Sequence, residues 1–312
     1  MIKEIKKEIH KVVVGHEELV DGMLIALLSS GHILVEGVPG IAKTTAVNTL
    51  AKVMRFEFKR VQFTPDLLPA DITGSEIMDL QKQDFKLKKG PIFTNLLLAD
   101  EINRAGAKVQ SALLEAMAER QVTIGEQTLP LKSPFMVLST ANPLEQEGTY
   151  ELPEASLDRF MLKINVGYNS FDEEHEIVLR VAQNGFEDIK PIGDKQLLDK
   201  MLESVHKVHV EEAISKYMLE LVFATREPQK YNISESKKYI EYGVSPRASI
   251  DLYKAAKANA YISGRDFVTP SDVARVAYPV FRHRLILRYN AQSDSVTPET
   301  IIQEILSRVP IP

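Results

Sequence analysis

Two short stretches of this sequence contain the residue types needed to bind and cleave a phosphate chain. The first reads Gly-Val-Pro-Gly-Ile-Ala-Lys-Thr-Thr over residues 37–45. Backbone N–H groups of such a loop can surround a phosphate, a lysine can reach the outer phosphates, and a hydroxyl can ligate Mg²⁺. An alanine stands where the strict pattern has its second glycine, but the other spacings agree, so we predict a phosphate-binding loop. Its residues are Gly37, Val38, Pro39, Gly40, Ile41, Ala42, Lys43, Thr44 and Thr45.

The second stretch is an apolar run, Leu-Leu-Leu-Ala, that ends in two carboxylates, Asp100 and Glu101. Such a run is typical of a strand buried on both faces of a parallel sheet, whose tip lies where these sheets bind ligands. Because adjacent strand residues point to opposite sides, Asp100 can hold Mg²⁺ together with Thr44 while Glu101 faces the attacking water. The alternative is a strand that ends in a solvated acidic turn. The phosphate-binding loop upstream favours the catalytic interpretation.

The neighbouring elements should place both stretches at strand ends. Residues 33–35 are a short apolar run of strand type, and a helical pattern begins at Lys43, directly after the glycine-rich loop. A third apolar run, residues 135–138, leads to Asn142. That side chain could orient the attacking water, or it could serve only as a turn residue before the proline that follows it.

The pattern of elements changes near the middle of the chain. Before that point strands alternate with helices, and pairs of β-prone segments near residues 75–90 and 121–131 predict two hairpins. Beyond it, helical patterns follow one another and strand patterns are lacking. We therefore predict an α/β fold over residues 1–168, a P-loop NTPase core with a parallel sheet between helices and hairpin insertions. A linker over residues 169–193 and an all-α lid domain over residues 194–312 would follow.

One helix start in the second half of the chain carries a cation in an unfavourable place. Ser245 and Pro246 are typical of an N-cap and a first helical position, and Arg247 then lies in the first turn. The helix dipole disfavours a positive charge there. Either a bound phosphate or the carboxylate of Asp251 could compensate, and the sequence leaves both open.

Composition limits the class of protein further. The chain has 312 residues, 44% of them hydrophobic, and no cysteine, which excludes disulfides, thiolate metal sites and thiol nucleophiles. No apolar run approaches the roughly 20 residues needed to cross a bilayer, and the first helical segment is too charged for a signal peptide. We expect a cytoplasmic protein without membrane insertion. The net charge of −5 argues against a broad nucleic-acid-binding surface.

Taken together, these stretches resemble the AAA+ ATPases, and within them the MoxR family. The resemblance covers nearly the whole chain. It is carried by Gly-Val-Pro-Gly-Ile-Ala-Lys-Thr at 37–44, Phe-Thr-Pro-Asp-Leu-Leu-Pro-Ala-Asp-Ile-Thr-Gly at 63–74, Leu-Ala-Asp-Glu-Ile-Asn-Arg-Ala at 98–105 and Leu-Pro-Glu-Ala-Ser-Leu-Asp-Arg-Phe at 152–160. An alanine before the lysine is familiar in that family.

The resemblance implies roles for residues that the pattern alone leaves open. Asn142 would be the first sensor, and Arg159 the arginine finger that reaches a neighbouring subunit. Arg247 would be the second sensor, in the lid. Val14 and Gly15 would lie beside the adenine, and the two hairpins would face the central pore of a ring.

The function implied is ATP hydrolysis with Mg²⁺ at the subunit interfaces of a homo-hexamer that remodels or matures partner proteins. Relatives commonly work with proteins that carry a von Willebrand factor A domain, so such a partner is expected. One alternative is a switch in which ATP binding assembles a scaffold and hydrolysis only resets it. Another is a DNA motor, for which the first hairpin offers Lys82, Lys86, Lys88 and Lys89, although such a run is more often a solvated face.

Overall fold

The chain folds into two compact units. The computed structural model describes residues 1–38, 42–79, 84–142, 148–183 and 185–312. The first unit, called the α/β unit, comprises Met1–Met23, His32–Arg159 and Ile164–Asp199. The second, called the helical unit, comprises Leu24–Gly31, Phe160–Lys163 and Lys200–Pro312.

Strands and helices alternate in the first two thirds of the chain. The helices are α1 (Ile2–His10), α2 (Glu17–Leu28), α3 (Lys43–Val53), α4 (Pro69–Thr73), α5 (Ala107–Glu119), α6 (Glu154–Leu157), α7 (Phe171–Gln183) and α8 (Lys195–Lys207). The strands are β1 (Ile33–Gly37), β2 (Phe58–Gln62), β3 (Gly74–Asp79), β4 (Asp84–Lys89), β5 (Leu96–Asp100), β6 (Gln121–Ile124), β7 (Gln127–Pro130), β8 (Met136–Ala141) and β9 (Leu162–Val166).

Five of these strands form one sheet in the order β2-β5-β8-β1-β9. The pairs β2 with β5, β5 with β8, and β8 with β1 are parallel. Residues 96–99 of β5 have no exposed surface, and β8 is nearly as buried, which explains their uninterrupted apolar sequence. The predicted parallel α/β fold is confirmed. Because β8 lies between β1 and β5, the strand leading to Asn142 separates the phosphate-loop strand from the acidic one.

Strand β2 is the edge strand at one end of this sheet, and its sequence differs accordingly. Lys59, Arg60 and Gln62 are exposed. Polar and charged residues on an edge strand discourage pairing with another chain. Here they also bring a cation and an amide beside the end of β5.

Two antiparallel hairpins project from the α/β unit, as predicted from the sequence. β3 pairs with β4, and β6 pairs with β7. Gly125 forms the tip of the second hairpin with a φ of +58°, a left-handed conformation that suits glycine. The side chain of Glu76, on β3, lies directly against this glycine, so the two hairpins are neighbours.

The helical unit is built mainly from helices, as the helical patterns in this half of the sequence predict. They are α9 (Glu212–Arg226), α10 (Ser234–Lys237), α11 (Pro246–Ile262), α12 (Pro270–Phe281), α13 (Tyr289–Ser293) and α14 (Pro298–Arg308). Two very short strands, β10 (Ile240–Tyr242) and β11 (Ile286–Leu287), form an antiparallel pair. The sequence shows no sign of them because two or three residues are too few for an alternating pattern.

Helix α12 illustrates how local sequence sets a helix start. Thr269 is its N-cap and Pro270 its first residue, and the carboxylate of Asp272 accepts the backbone N–H of Thr269 at 2.8 Å. This capping box satisfies donors that a helix start otherwise leaves unpaired. Across the described ranges, no helix is both long and apolar enough to span a bilayer.

Candidate functional site

A cleft of about 570 Å³ in the α/β unit lies where β1, β5 and β8 end, a size typical of small-molecule sites. It brings together nine of the predicted site residues. They are Val14, Gly37, Ala42, Lys43, Thr44, Thr45, Asp100, Glu101 and Asn142. It is also lined by residues that the sequence does not single out, namely Val12, Arg60, Thr140, Tyr168, Asn169, Glu174, Ile177 and Phe186.

The phosphate-binding loop joins β1 to α3, as predicted. Lys43 is the first residue of α3, and its ammonium group donates a hydrogen bond to the carbonyl oxygen of Gly37 at 2.7 Å. Val38 follows the strand and is partly exposed. The loop's middle residues, Pro39, Gly40 and Ile41, lie outside the described part of the chain.

Ala42 occupies the position at which the strict motif has glycine, and its backbone explains the preference. Its φ is +53°, in the left-handed region, which costs a residue with a Cβ about 1–2 kcal/mol. Ala42 therefore adopts a conformation that glycine would adopt without strain.

The electrostatics around Lys43 prepare it for an anion. Burial lowers the pKa of the Lys43 ammonium group, and the carboxylates of Asp100 and Glu101 oppose that shift. A half-buried ammonium group gains more from a nearby phosphate than an exposed one, because water screens the interaction less.

Asp100 ends β5 and is held by two neighbouring strands. Its Oδ2 accepts hydrogen bonds from Nε and Nη2 of Arg60 on β2, at 3.0 and 2.6 Å. Its Oδ1 accepts the hydroxyl of Thr140 on β8 at 2.6 Å. The carboxylate is thus oriented at the cleft by residues that are distant in sequence.

Glu101 lies one residue beyond β5, so strand alternation does not set its direction. Its φ is +56°, and its backbone N–H donates to the Thr140 hydroxyl at 2.8 Å. Its Oε2 accepts the amide of Gln62 at 2.7 Å and is 3.1 Å from Nε of Arg104. This left-handed backbone, and not the pleat of a strand, separates the two carboxylates.

Among the residues that sequence reasoning missed, Thr140, Gln62 and Arg60 contact the acidic pair directly. The hydroxyl of Thr140 bridges both acidic residues, yet a threonine in a buried strand gives no sign of such a role. Gln62 and Arg60 occupy alternate positions of β2 and so share a face, which is a readable signal once the strand is known to border β5. Asn142 follows β8 and is 7% exposed.

The segment predicted to lie beside adenine also contributes to the cleft. Val14 lines it, and its carbonyl oxygen accepts the side-chain amide of Asn169 at 3.0 Å. Gly15 has a φ of +68°, and a Cβ added there would lie 2.4 Å from Oε1 of Glu173. A larger residue would have to displace the Glu173 carboxylate, and the left-handed backbone favours glycine.

The two remaining arginines do not line this cleft. Arg159 follows α6, is exposed, and donates from Nη1 to the carbonyl oxygen of Ala155 at 3.1 Å. Arg247 is the second residue of α11 in the helical unit and is also exposed. Their predicted roles at a nucleotide therefore stay predictions.

The donor set suits a magnesium nucleotide. Mg²⁺ prefers oxygen ligands and usually takes only one or two from protein side chains, with phosphates and waters supplying the rest. The Thr44 hydroxyl and the Asp100 carboxylate line the cleft together with Lys43, which is the pattern for an anion and a hard cation bound side by side. A loop of this kind after β1, with acids at the tip of a nearby parallel strand, defines a P-loop nucleoside triphosphatase.

Comparison with known proteins identifies the family. Residues 32–162 match the model of the ATPase family associated with various cellular activities (AAA), and residues 233–305 match the AAA lid domain. Chaperone MoxR1 of Mycobacterium tuberculosis is 47% identical over 310 residues, which cover 98% of this chain and 81% of that protein. The uncharacterized protein YeaC of Bacillus subtilis is 42% identical, with 98% of this chain and 93% of that one covered.

A solved structure agrees with this assignment. The chain in a crystal structure of a candidate ATPase from Cytophaga hutchinsonii is 49% identical in sequence, and the two structures superpose with a TM-score of 0.94. The match covers 100% of this chain and 94% of that one. The chain belongs to the MoxR family of AAA+ ATPases. It is accordingly a nucleotide-binding, ATP-hydrolysing enzyme, as the resemblance in sequence predicts.

Proposed function

We propose that this chain works as a homo-hexamer in the cytoplasm, hydrolyses ATP with Mg²⁺ at sites shared between subunits, and uses the cycle to remodel partner proteins. The observation that carries the proposal is the convergence of Lys43, Asp100, Glu101 and Asn142 on one cleft while Arg159 stays exposed outside it. A site that contains the candidate lysine, acids and first sensor but not the finger is what a shared site requires.

Each residue of the cleft then has a distinct role. Lys43 holds the β- and γ-phosphates, and Thr44 with Asp100 holds Mg²⁺, which when bound neutralises charge on the phosphate oxygens. Glu101 polarises the attacking water and Asn142 positions it. Val14 and Gly15 lie beside the adenine, with the remaining loop residues around the phosphates.

Two arginines would complete the machinery from outside the cleft. Arg159 of the next subunit stabilises charge on the transferring phosphate, an effect typically worth about 10³ to 10⁵ in turnover. Arg247 would respond to the nucleotide from the helical unit and transmit its state. We also propose that the parts that move relative to one another during the cycle are a core over residues 1–168, a linker over 169–193 and a lid over 194–312.

One observation favours the second candidate, an assembly switch with slow turnover. Oε2 of Glu101 is engaged by both Gln62 and Arg104. While these contacts hold Oε2, the water must be polarised by Oε1 from a fixed position, so basal hydrolysis should be slow. A partner that frees Glu101 would convert the switch into a motor, and turnover that no partner accelerates would favour the switch alone.

The first hairpin favours a protein partner over DNA. Ile77, Met78 and Phe85 expose 44%, 57% and 68% of their surface on β3 and β4. Exposed apolar side chains grouped on a projecting element are typical of protein contacts. The same hairpin also carries Lys86 and Lys88, whose positive charges would suit the phosphate backbone of DNA. The M. tuberculosis relative is named a chaperone, and the family resemblance adds the expectation of a partner with a von Willebrand factor A domain.

The deciding experiment measures ATP turnover per subunit against protein concentration, for the native chain and for Arg159→Ala. We expect native turnover to rise with concentration as subunits associate, and the variant to stay flat and slow. Turnover that is independent of concentration and equal in both proteins would reject the shared site.

A further inference from the structure

A buried arginine of the helical unit binds the two residues that directly follow the candidate finger. Arg284, between α12 and β11, is 4% exposed. Its Nη2 donates to the carbonyl oxygen of Phe160 at 2.9 Å, and its Nη1 donates to that of Met161 at 3.1 Å. Phe160 is itself fully buried and is joined to Arg159 by a peptide bond. The main chain next to Arg159 is therefore anchored from the helical unit.

The charge of this arginine is compensated within the same unit. Its Nη2 also donates to Oδ2 of Asp251, on α11, at 2.5 Å, and its Nη1 donates to the carbonyl oxygen of Val280 at 2.9 Å. A planar guanidinium can make four such bonds at once, whereas an ammonium group of a lysine cannot reach all of them. A buried ion pair is often no more stable than apolar residues of the same volume, so stability alone does not explain this one.

A second side chain converges on the same carbonyl group. Nε2 of His283 is 2.8 Å from the carbonyl oxygen of Phe160. Burial, together with the charge of Arg284, lowers the pKa of His283 well below its ordinary value, so the ring is neutral and Nε2 carries the proton that it donates. Two donors on one carbonyl oxygen fix the orientation of the peptide unit between Phe160 and Met161, and so hold the main chain in place from the residue after Arg159.

Within the described part of the chain, the Arg159 side chain makes one hydrogen bond, to the carbonyl oxygen of Ala155. Its hydrogen bond to Ala155 is at an exposed site, where such contacts contribute little to keeping a long side chain in one geometry. The position of its backbone therefore decides where the guanidinium is presented.

We propose that Arg284 is a positioning residue for the arginine finger: by fixing the carbonyl groups of Phe160 and Met161 it directs Arg159 toward the site of the neighbouring subunit. The inference rests on the proposed function, in which Arg159 acts on another subunit. Arg284 touches no substrate. Its loss should therefore damage the neighbour's turnover and spare the subunit's own nucleotide binding.

Mixed rings test this directly. Arg284→Lys is expected to lower turnover at least tenfold with ADP affinity unchanged. Mixing it with Glu101→Gln subunits, which are inactive but keep the finger, should restore turnover, because random mixing places an intact site next to an intact finger at about a quarter of the interfaces of a head-to-tail ring. Mixing it with Arg159→Ala should restore nothing, since neither subunit then supplies a finger.

A matched control separates positioning from general damage. Arg265 also forms a close ion pair in the helical unit, with Asp272, and should tolerate Arg265→Lys with turnover within twofold of native. If Arg284→Lys fails to fold, the double variant Asp251→Asn/Arg284→Gln takes its place, because it removes both buried charges together.

The outcomes distinguish the two levels of the proposal. If Arg159→Ala is complemented by Glu101→Gln but Arg284→Lys is not, Arg284 does not position the finger. The same conclusion follows if Arg265→Lys loses as much turnover as Arg284→Lys. If Arg159→Ala is not complemented either, the shared site itself is wrong and the proposed function fails first.

Discussion

A single substitution at Thr140 can perturb both acidic residues of this site, because one hydroxyl oxygen forms hydrogen bonds with Asp100 and with Glu101. It donates to Asp100 at 2.6 Å and accepts the backbone N–H of Glu101 at 2.8 Å, and the residue is 1% exposed. Thr140→Val replaces the hydroxyl by a methyl group of nearly the same size. The change leaves no cavity, so its effect reports on the two hydrogen bonds.

The expected magnitude follows from the burial of these bonds. A hydrogen bond to a charged group contributes about 1.5–3 kcal/mol, and a buried N–H left without a partner costs about 1–3 kcal/mol. Since both bonds share one oxygen atom, the terms are not additive, and we expect a loss of about 2–4 kcal/mol in the free energy of unfolding of the α/β unit. If about 1.4 kcal/mol of this is also lost from the transition state for hydrolysis, turnover falls about tenfold.

Far-UV circular dichroism during urea unfolding measures the stability, and phosphate release at saturating ATP measures the turnover. Thr140→Ser is the matched control, because it keeps the hydroxyl and removes a methyl group worth about 0.8 kcal/mol. It should keep turnover within twofold of native. If Thr140→Val is as stable and as active as the native chain, the hydroxyl does not organise the acidic pair and the reasoning fails.

Three further predictions concern other parts of the α/β unit. Glu101→Gln should still bind ATP in an equilibrium assay yet lose nearly all turnover, whereas undiminished hydrolysis would remove Glu101 from its role as base. Gly15→Ala should destabilise the unit by about 1–2 kcal/mol and weaken nucleotide binding, because it strains a left-handed backbone and displaces the Glu173 carboxylate, which accepts the backbone N–H of Ser170. Gly264→Ala, with a similar positive φ but open space, should cost only about 1 kcal/mol, and equal losses would contradict the argument from Glu173. Burial lowers the pKa of His32 to about 3. Between pH 6.5 and pH 3 the His32 ring is therefore protonated in the unfolded chain and neutral in the folded chain. The contribution of this group to the free energy of unfolding is complete above pH 6.5 and should fall by about 1.4 kcal/mol per pH unit toward pH 3. Urea unfolding at several pH values measures this dependence, and it should be weaker in His32→Gln. An equal pH dependence in the native chain and the variant would contradict the argument.

Much of the fold could be predicted because its signals are local. The apolar run before Asp100 predicts a strand buried on both faces, and the structure confirms it. The hairpins near residues 75–90 and 121–131 are also where the β-prone pairs place them. Short strands β10 and β11 escaped prediction because their pairing depends on contacts about 45 residues apart in sequence and not on a pattern within either strand.

The candidate site was predictable only where spacing within one segment carries the chemistry. Lys43 and Thr44 follow directly from the loop pattern, and they line the cleft as that pattern predicts. The roles assigned to Asn142, Arg159 and Arg247 came from resemblance and stay predictions until they are measured.

By itself, therefore, the sequence determined where the chemical groups of this protein lie along the chain: a glycine-rich loop with Lys43 and Thr44, and an acidic strand end, each encoded within about ten neighbouring residues. Only the tertiary structure decided how these groups are controlled. The strand order places Arg60 and Gln62 of the edge strand beside the acidic pair. Packing within the helical unit places Arg284 on the carbonyl groups of Phe160 and Met161. Such partners are far apart in the chain, and they meet because parallel strands and packed helices are ordered by burial over the whole core, which no local pattern records.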